Sequence, residues 1–222
     1  MTALTVGNVL TTCNPAFGGC VTGAPLNNTA FRVAPYSGFN WQIASQWVAG
    51  IEGDFGFASK TTTLAGMNYP LTGIATITGR AVDTFSVKTT WDASIRGRVG
   101  FLINPSVLLY GTGGAAFQHV ESTSSCGAFA NSLCQPAIAS GPFVITNTKS
   151  RIGWTGGGGI ESMLGSNWLA RAEYRFADFG TLSNTDIRTG ALGAVASYDL
   201  RVTTHTAQLG IAYKFDGSGT AR

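Results

Sequence analysis

Charge is what this chain has least of. Only 11% of its 222 residues are Asp, Glu, Lys or Arg, against about a quarter in an average soluble domain. The net charge is +3 and there is no block of Lys or Arg, so the electrostatic footprint of a nucleic-acid binder is missing. No apolar run approaches the roughly 18 residues of a membrane-spanning helix. Proline is scarce at 7 residues, and histidine is limited to His119 and His205. Glycine, in contrast, is abundant at 30 residues. The runs Gly111–Gly114 and Gly156–Gly159 precede neither a Lys-Ser/Thr pair nor a helix. They do not read as phosphate loops, and in strands glycine relieves crowding and permits curvature. The four cysteines fall as close pairs, Cys13 with Cys20 and Cys126 with Cys134, with no histidine beside them. Zinc sites want shorter spacings and often His. Two local disulfides are the favoured reading, against free thiols or a metal, and they imply an oxidising compartment. Met1–Leu10 lacks a basic segment followed by an apolar core, so it does not read as a secretory signal. An exported protein of this kind would then be a trimmed mature chain, or its true start would lie upstream.

What is present is alternation. In Gln208–Phe215 the odd positions Leu209, Ile211, Tyr213 and Phe215 are apolar, while Gln208, Gly210, Ala212 and Lys214 are small or polar. A two-residue period puts one face of a strand against an apolar medium and the other against something polar. Five earlier segments repeat it. On 167–176, Trp168, Ala170, Ala172, Tyr174 and Phe176 oppose Leu169, Arg171, Glu173 and Arg175. On 151–161, Ile152, Trp154, Gly156, Gly158 and Ile160 oppose Arg151, Thr155 and Glu161. On 91–101, Trp91, Ala93, Ile95, Val99 and Phe101 oppose Asp92, Ser94, Arg96 and Arg98. On 47–57, Trp47, Ala49, Ile51, Phe55 and Phe57 oppose Glu52 and Asp54. Leu108–Val120 is apolar or small on both faces; its outward set is read as Leu109, Ala115 and Phe117, its inward set as Tyr110, Thr112 and Gln118.

A soluble sheet alternates too, with its apolar face as core. Here the polar faces carry opposite charges at matching spacing, as if paired across an enclosed space. Aromatics also gather at strand ends (Trp47, Trp91, Phe101, Trp168, Phe176, Tyr213, Phe215), as the interfacial girdles of a membrane barrel require. Connections alternate between tight turns (44–46, 104–106, 165–166) and long polar stretches (59–85, 121–150, 178–200). The expectation is an all-β, eight-stranded antiparallel transmembrane barrel over residues 1–215, with short periplasmic turns, long extracellular loops and a tail at 216–222. The two further strands are assigned to Thr29–Trp41 and Met1–Leu10, with Thr11–Asn28 as the first long loop. The final octet fits the pattern read by the outer-membrane assembly machinery through Gln208, Gly210, Tyr213 and Phe215.

The blocks Phe39-Asn40-Trp41-Gln42, Trp47–Asp54, Trp91–Gly100, Leu108–Ala116, Trp154–Glu161 and Arg171–Phe176 occur in order over about Gly38–Phe215. In these the chain resembles the small outer-membrane barrels of alphaproteobacteria, the porin-like surface proteins of rhizobia and brucellae, within the superfamily of the outer membrane protein A barrel. That family opens with an aromatic-rich first strand and tends to end at its last aromatic, whereas here no such strand is recognisable and Asp216–Arg222 follow. The resemblance implies the bacterial outer membrane.

Chemistry is sparse. His119 with Ser122 and Glu121 nearby could make a hydrolytic pair at a lipid-facing rim, but a rim histidine near headgroups is the simpler reading, and His205 reads the same way. No enzyme, metal or cofactor is implied. The one polar constellation is Glu52, Asp54, Asp92, Arg96, Arg98, Arg151, Glu161, Arg171, Glu173 and Arg175, read as paired charges filling an interior just wide enough for side chains. The expected function is structural and surface-exposed, contributing to envelope integrity; the alternative is a narrow porin-like channel for small solutes. On the first reading the lumen is plugged, and removing Glu173 or Arg96 should make it leak. Expected partners are outer-membrane lipids including lipopolysaccharide, the barrel-assembly machinery, and host or envelope molecules at the loops.

Overall fold

The alternating segments become strands because β-branched and aromatic residues fill one face while Gly and Ser keep the backbone free to twist. The computed structural model describes residues 2–14, 19–25, 28–65, 68–71, 75–78, 84–126, 143–188 and 195–215. The strands are β1 (Thr2–Asn14), β2 (Gly19–Pro25), β3 (Asn28–Phe31), β4 (Tyr36–Gln42), β5 (Trp47–Ala65) and β6 (Asn68–Leu71), then β7 (Ala75–Thr78), β8 (Thr84–Asn104), β9 (Val107–Cys126), β10 (Phe143–Met163), β11 (Trp168–Arg188) and β12 (Val195–Tyr213).

The main sheet is antiparallel and runs β2-β1-β12-β11-β10-β9-β8-β5-β4. Its two ends meet through segment 28–42, because β3 pairs with β1, Val33 bridges to Phe57, and β4 pairs with β5. This segment differs from the single strand Thr29–Trp41 expected from the sequence. The ladder breaks at Arg32–Pro35, where proline has no N–H to donate, and the chain changes partner there. The first strand is longer than Met1–Leu10: β1 continues to Asn14 and pairs antiparallel with β2, so the described part of the expected loop 11–28 is largely strand. Eight segments thus form the wall: β1, 28–42, β5, β8, β9, β10, β11 and β12.

Turns at 43–46, 105–106 and 164–167 mark one end, called here the turn end. Towards the other, the hairpin end, the described residues of the stretches expected as long loops are strand. β8, β10 and β11 each run for 21 residues, about twice the 9–11 needed to cross a bilayer. Outward aromatics form two belts. Towards the turn end Trp47 meets Phe101 at 5.4 Å and Trp168 meets Tyr213 at 5.3 Å. Higher up, Trp91 stacks between Phe55 and His119, both at 5.5 Å, and Trp154 meets Phe176 at 5.3 Å. Trp91 and Phe101 are ten residues apart on β8. At ~3.3 Å per residue and a tilt of about 40°, the belts stand roughly 25 Å apart, the height of an outer-membrane apolar band.

Burial is inverted between them. Ile211 is 66% exposed and Ile95 58%, whereas Arg96 is 1% exposed. Above the upper belt the polarity reverses again. Phe85, Val87, Ala116, Val120, Ala177, Phe179, Leu182, Leu200 and Val202 form a buried apolar cluster inside the wall, with Leu64 packed on it. The hairpin half therefore has an interior like that of a water-soluble protein.

Candidate functional site

Between the belts the inward positions of five wall segments, 28–42, β5, β8, β10 and β11, converge on one charged layer. Five arginines (Arg32, Arg96, Arg98, Arg171, Arg175) face five carboxylates (Glu52, Asp54, Asp92, Glu161, Glu173), and all ten are buried. The formal charges cancel, which is what an enclosed layer requires, since an unpaired ion there would cost several kcal/mol.

The connections are specific. Arg96 reaches Glu52 at 2.7 Å and Glu173 at 2.6 Å. Arg171 meets Glu52 at 3.2 Å, pairs with Glu173, and lies over the Tyr36 ring at 4.4 Å. Arg175 reaches Asp54 at 2.7 Å and donates to the Ser94 hydroxyl at 3.2 Å. Arg98 donates to Glu161 at 3.3 Å with its guanidinium 4.0 Å from the Tyr110 ring centroid. Glu173 accepts further hydrogen bonds from the Tyr110 hydroxyl and the Gln208 amide, both at 2.9 Å. Planar guanidinium groups suit this layer because each can serve two carboxylates at once.

Arg32 escaped the sequence reading. It is 1% exposed, donates from Nε to both Asp92 oxygens at 2.9 and 3.0 Å, and pairs with Asp54. Gly56 makes room for it, since a Cβ at that position would fall on the Arg32 guanidinium. The available signal was a lone cation flanked by Phe31 and Val33, both exposed and outward. Gln208, read as an inward polar position and as part of an assembly signal, also joins the layer. Arg151 does not: it is half-buried and donates to the Thr181 carbonyl on β11 instead of to a carboxylate.

Above the layer, Gln118 is 1% exposed and neither atom of its amide has a partner among the described residues. It lines a small cavity with Asp92, Ser94, Arg175, Thr204 and Thr206, closed by Ala116, Ala177 and Phe179 of the apolar cluster. The lumen is thus filled twice, by paired charges and then by apolar side chains.

The outward histidines sit in aromatic surroundings. His119 Nδ1 is 3.1 Å from the Ser150 hydroxyl, not beside Ser122, which lies on the inner face and donates to the Asn147 carbonyl at 3.3 Å. His205 Nδ1 is 2.6 Å from the Tyr174 hydroxyl. No carboxylate contacts either ring among the described residues. Groups of three or more His, Cys, Asp or Glu able to hold a metal are also absent among those residues. Cys134 lies outside the described residues, as do the side chains of Cys13, Cys20 and Cys126, but the backbone register sets Cys13 directly opposite Cys20.

Residues 16–215 match the family described as the outer membrane protein beta-barrel domain. The 31 kDa outer-membrane immunogenic protein of Brucella melitensis is 29% identical over 179 residues, covering 81% of this chain and 64% of the relative. The chain therefore spans a little under two thirds of that relative. The 22 kDa outer membrane protein of Rhizobium leguminosarum is 27% identical over 193 residues, 87% of this chain and 70% of the relative. Among solved structures, the outer membrane protein OprG of Pseudomonas aeruginosa matches with a TM-score of 0.46 at 11% identity, over 96% of this chain and 95% of that one. The attachment invasion locus protein Ail of Yersinia pestis matches at 0.34 and 13%, over 92% and 97%.

Proposed function

The chain belongs to the family of outer membrane protein beta-barrel domains, and from that premise we propose that it is a closed, structural barrel that supports the envelope and displays its hairpin end outside the cell. Residence in the outer membrane follows from the family and its relatives. The observation that carries the structural role is the double filling of the lumen. The charged layer removes the aqueous path between the belts, and open channels belong to barrels of many more strands. Exposure of the hairpin end is supported by the turn end's short connections, which in this class face the periplasm, and by the relatives' designation as immunogenic.

The test is conductance in planar bilayers. Wild type should be silent. Glu173→Ala alone should also stay silent, because Phe85, Leu200 and Val202 still block the upper half; the expectation from sequence, which knew only the charges, was a leak. Combining Glu173→Ala with Leu200→Ser should open intermittent conductance. Stable wild-type openings would overturn this reading and favour a narrow channel for small solutes.

The surfaces are compatible with the expected partners. The outward apolar band takes outer-membrane lipid, with lipopolysaccharide at the upper belt, and Gln208, Gly210, Tyr213 and Phe215 would present the assembly signal. The register of Cys13 against Cys20 also supports a cross-strand disulfide stapling β1 to β2, with Cys126–Cys134 as the second. Closing so short a loop stabilises by roughly 3 kcal/mol or less, so the effect would be local. Non-reducing peptide mapping should recover the two linked pairs, and alkylatable thiols in the native protein would dismiss them.

A further inference from the structure

The wall is not paired equally at all heights. β9 and β10 are in register from Ser162↔Val107 up to Phe143↔Cys126, and β11 and β12 from Trp168↔Tyr213 up to Arg188↔Val195. β10 and β11 pair only from Met163↔Leu169 to Trp154↔Asp178. Above that point each has a single partner strand among the described residues. The unpaired edge of β10, residues 143–152, is roughly 33 Å long at ~3.3 Å per residue. It starts at the Trp154–Phe176 pair of the upper belt and so stands in water beyond the membrane.

The two edges of this seam differ. β11 is bulged between Asp178 and Thr181 and again between Asn184 and Ile187, and Gly180 has φ 71°. Bulges of this kind discourage pairing. β10 keeps an unbroken register with β9 through the whole stretch and contains no proline. Its backbone is the regular template on which another strand can be added. Register also puts Lys149 and Arg151 on the inner face, opposite Val120 and Gln118. Neither has a carboxylate partner among the described residues. Arg151 reaches across the seam to the Thr181 carbonyl while its Nε is buried without a partner.

We propose that the β10 edge, 143–151, is a docking site for an extended segment of another polypeptide, added as a further strand and carrying carboxylates two residues apart that face Lys149 and Arg151. Main-chain pairing would supply affinity, and same-face cross-strand charge pairs would supply selectivity. A second copy of this chain is a poorer occupant, since its own β10 would bring the same two cations to the seam. A lipid offers no series of main-chain donors and acceptors. The inference rests on the hairpin end facing outward, but its test does not.

The test is backbone amide hydrogen exchange on the purified, detergent-held barrel with short synthetic peptides. A peptide of alternating valine and glutamate should slow exchange across Val144–Ser150 several-fold. The same peptide interrupted by a central proline, and one alternating valine and lysine, should not. In Lys149→Glu, an exposed position that leaves the charged layer untouched, the preference should shift from the acidic to the basic peptide. Equal protection by all three peptides, no protection, or protection confined to β11 would overturn the docking site. Because the barrel's integrity is read separately from its gel migration, that failure would leave the structural reading standing.

Discussion

At the scale of single residues, Glu173 joins four groups of the charged layer: Arg96, Arg171, Tyr110 and Gln208 all donate to it. Glu173→Ala should lower stability by about 3–5 kcal/mol, because two arginines lose a buried counter-ion. The urea midpoint of the detergent-held protein measures this; an unchanged midpoint would mean that water already compensates the layer. Much of the layer was legible from parity alone, since Arg171, Glu173 and Arg175 alternate with Ala172, Tyr174 and Phe176 along one strand. Arg32 was not, because the ladder around it breaks before Pro35 and leaves too few residues to show a period. Parity also put Arg151 with the others, but parity gives only the face. Its height on β10 sets it beside a neighbour that has ceased to pair.

At the scale of elements, the hairpins carry the difference between loops and strands. The loop reading reached Phe85 and the strand reading began at Trp91, so the start of β8 at Thr84 was missed: Ser, Thr and Lys dilute the hydrophobicity of 84–90, and a bulge reverses its parity. Phe85, Val87 and Thr89 face inward, and so do Asp92 and Ser94, with the register shift lying between Thr89 and Asp92. No fixed two-residue template passes through such a step. The apolar cluster it builds should be separable from the layer below. Leu200 is fully buried among Phe85, Val202 and their neighbours, so Leu200→Asp places a charge without a partner there. Limited proteolysis should then nick the hairpins while the segments between the aromatic belts stay protected. Uniform digestion of the whole chain would show that the two halves unfold as one.

For the whole molecule, the wall sequence was legible to the extent that polarity was: aromatic spacing gave the membrane band, and alternation gave six of the wall segments. The junction through 28–42 was hidden, because a partner change has no composition of its own. A wall paired in this way in lipid leaves backbone groups satisfied and resists detergent, so unheated and boiled samples should migrate differently on gels, and identical migration would argue against a barrel. The stacking of two opposite interiors has a thermal consequence. Burial of apolar groups weakens on cooling and strengthens in sulfate or phosphate, while ion pairs shielded from solvent are screened far less by salt. Near freezing, the part of the protein that meets the outside should therefore soften first, with faster amide exchange around Leu200 and Val202 than around Arg96, and sulfate should restore it. The membrane-embedded half would act as a temperature-indifferent base carrying a crown whose order is set by the medium around the cell.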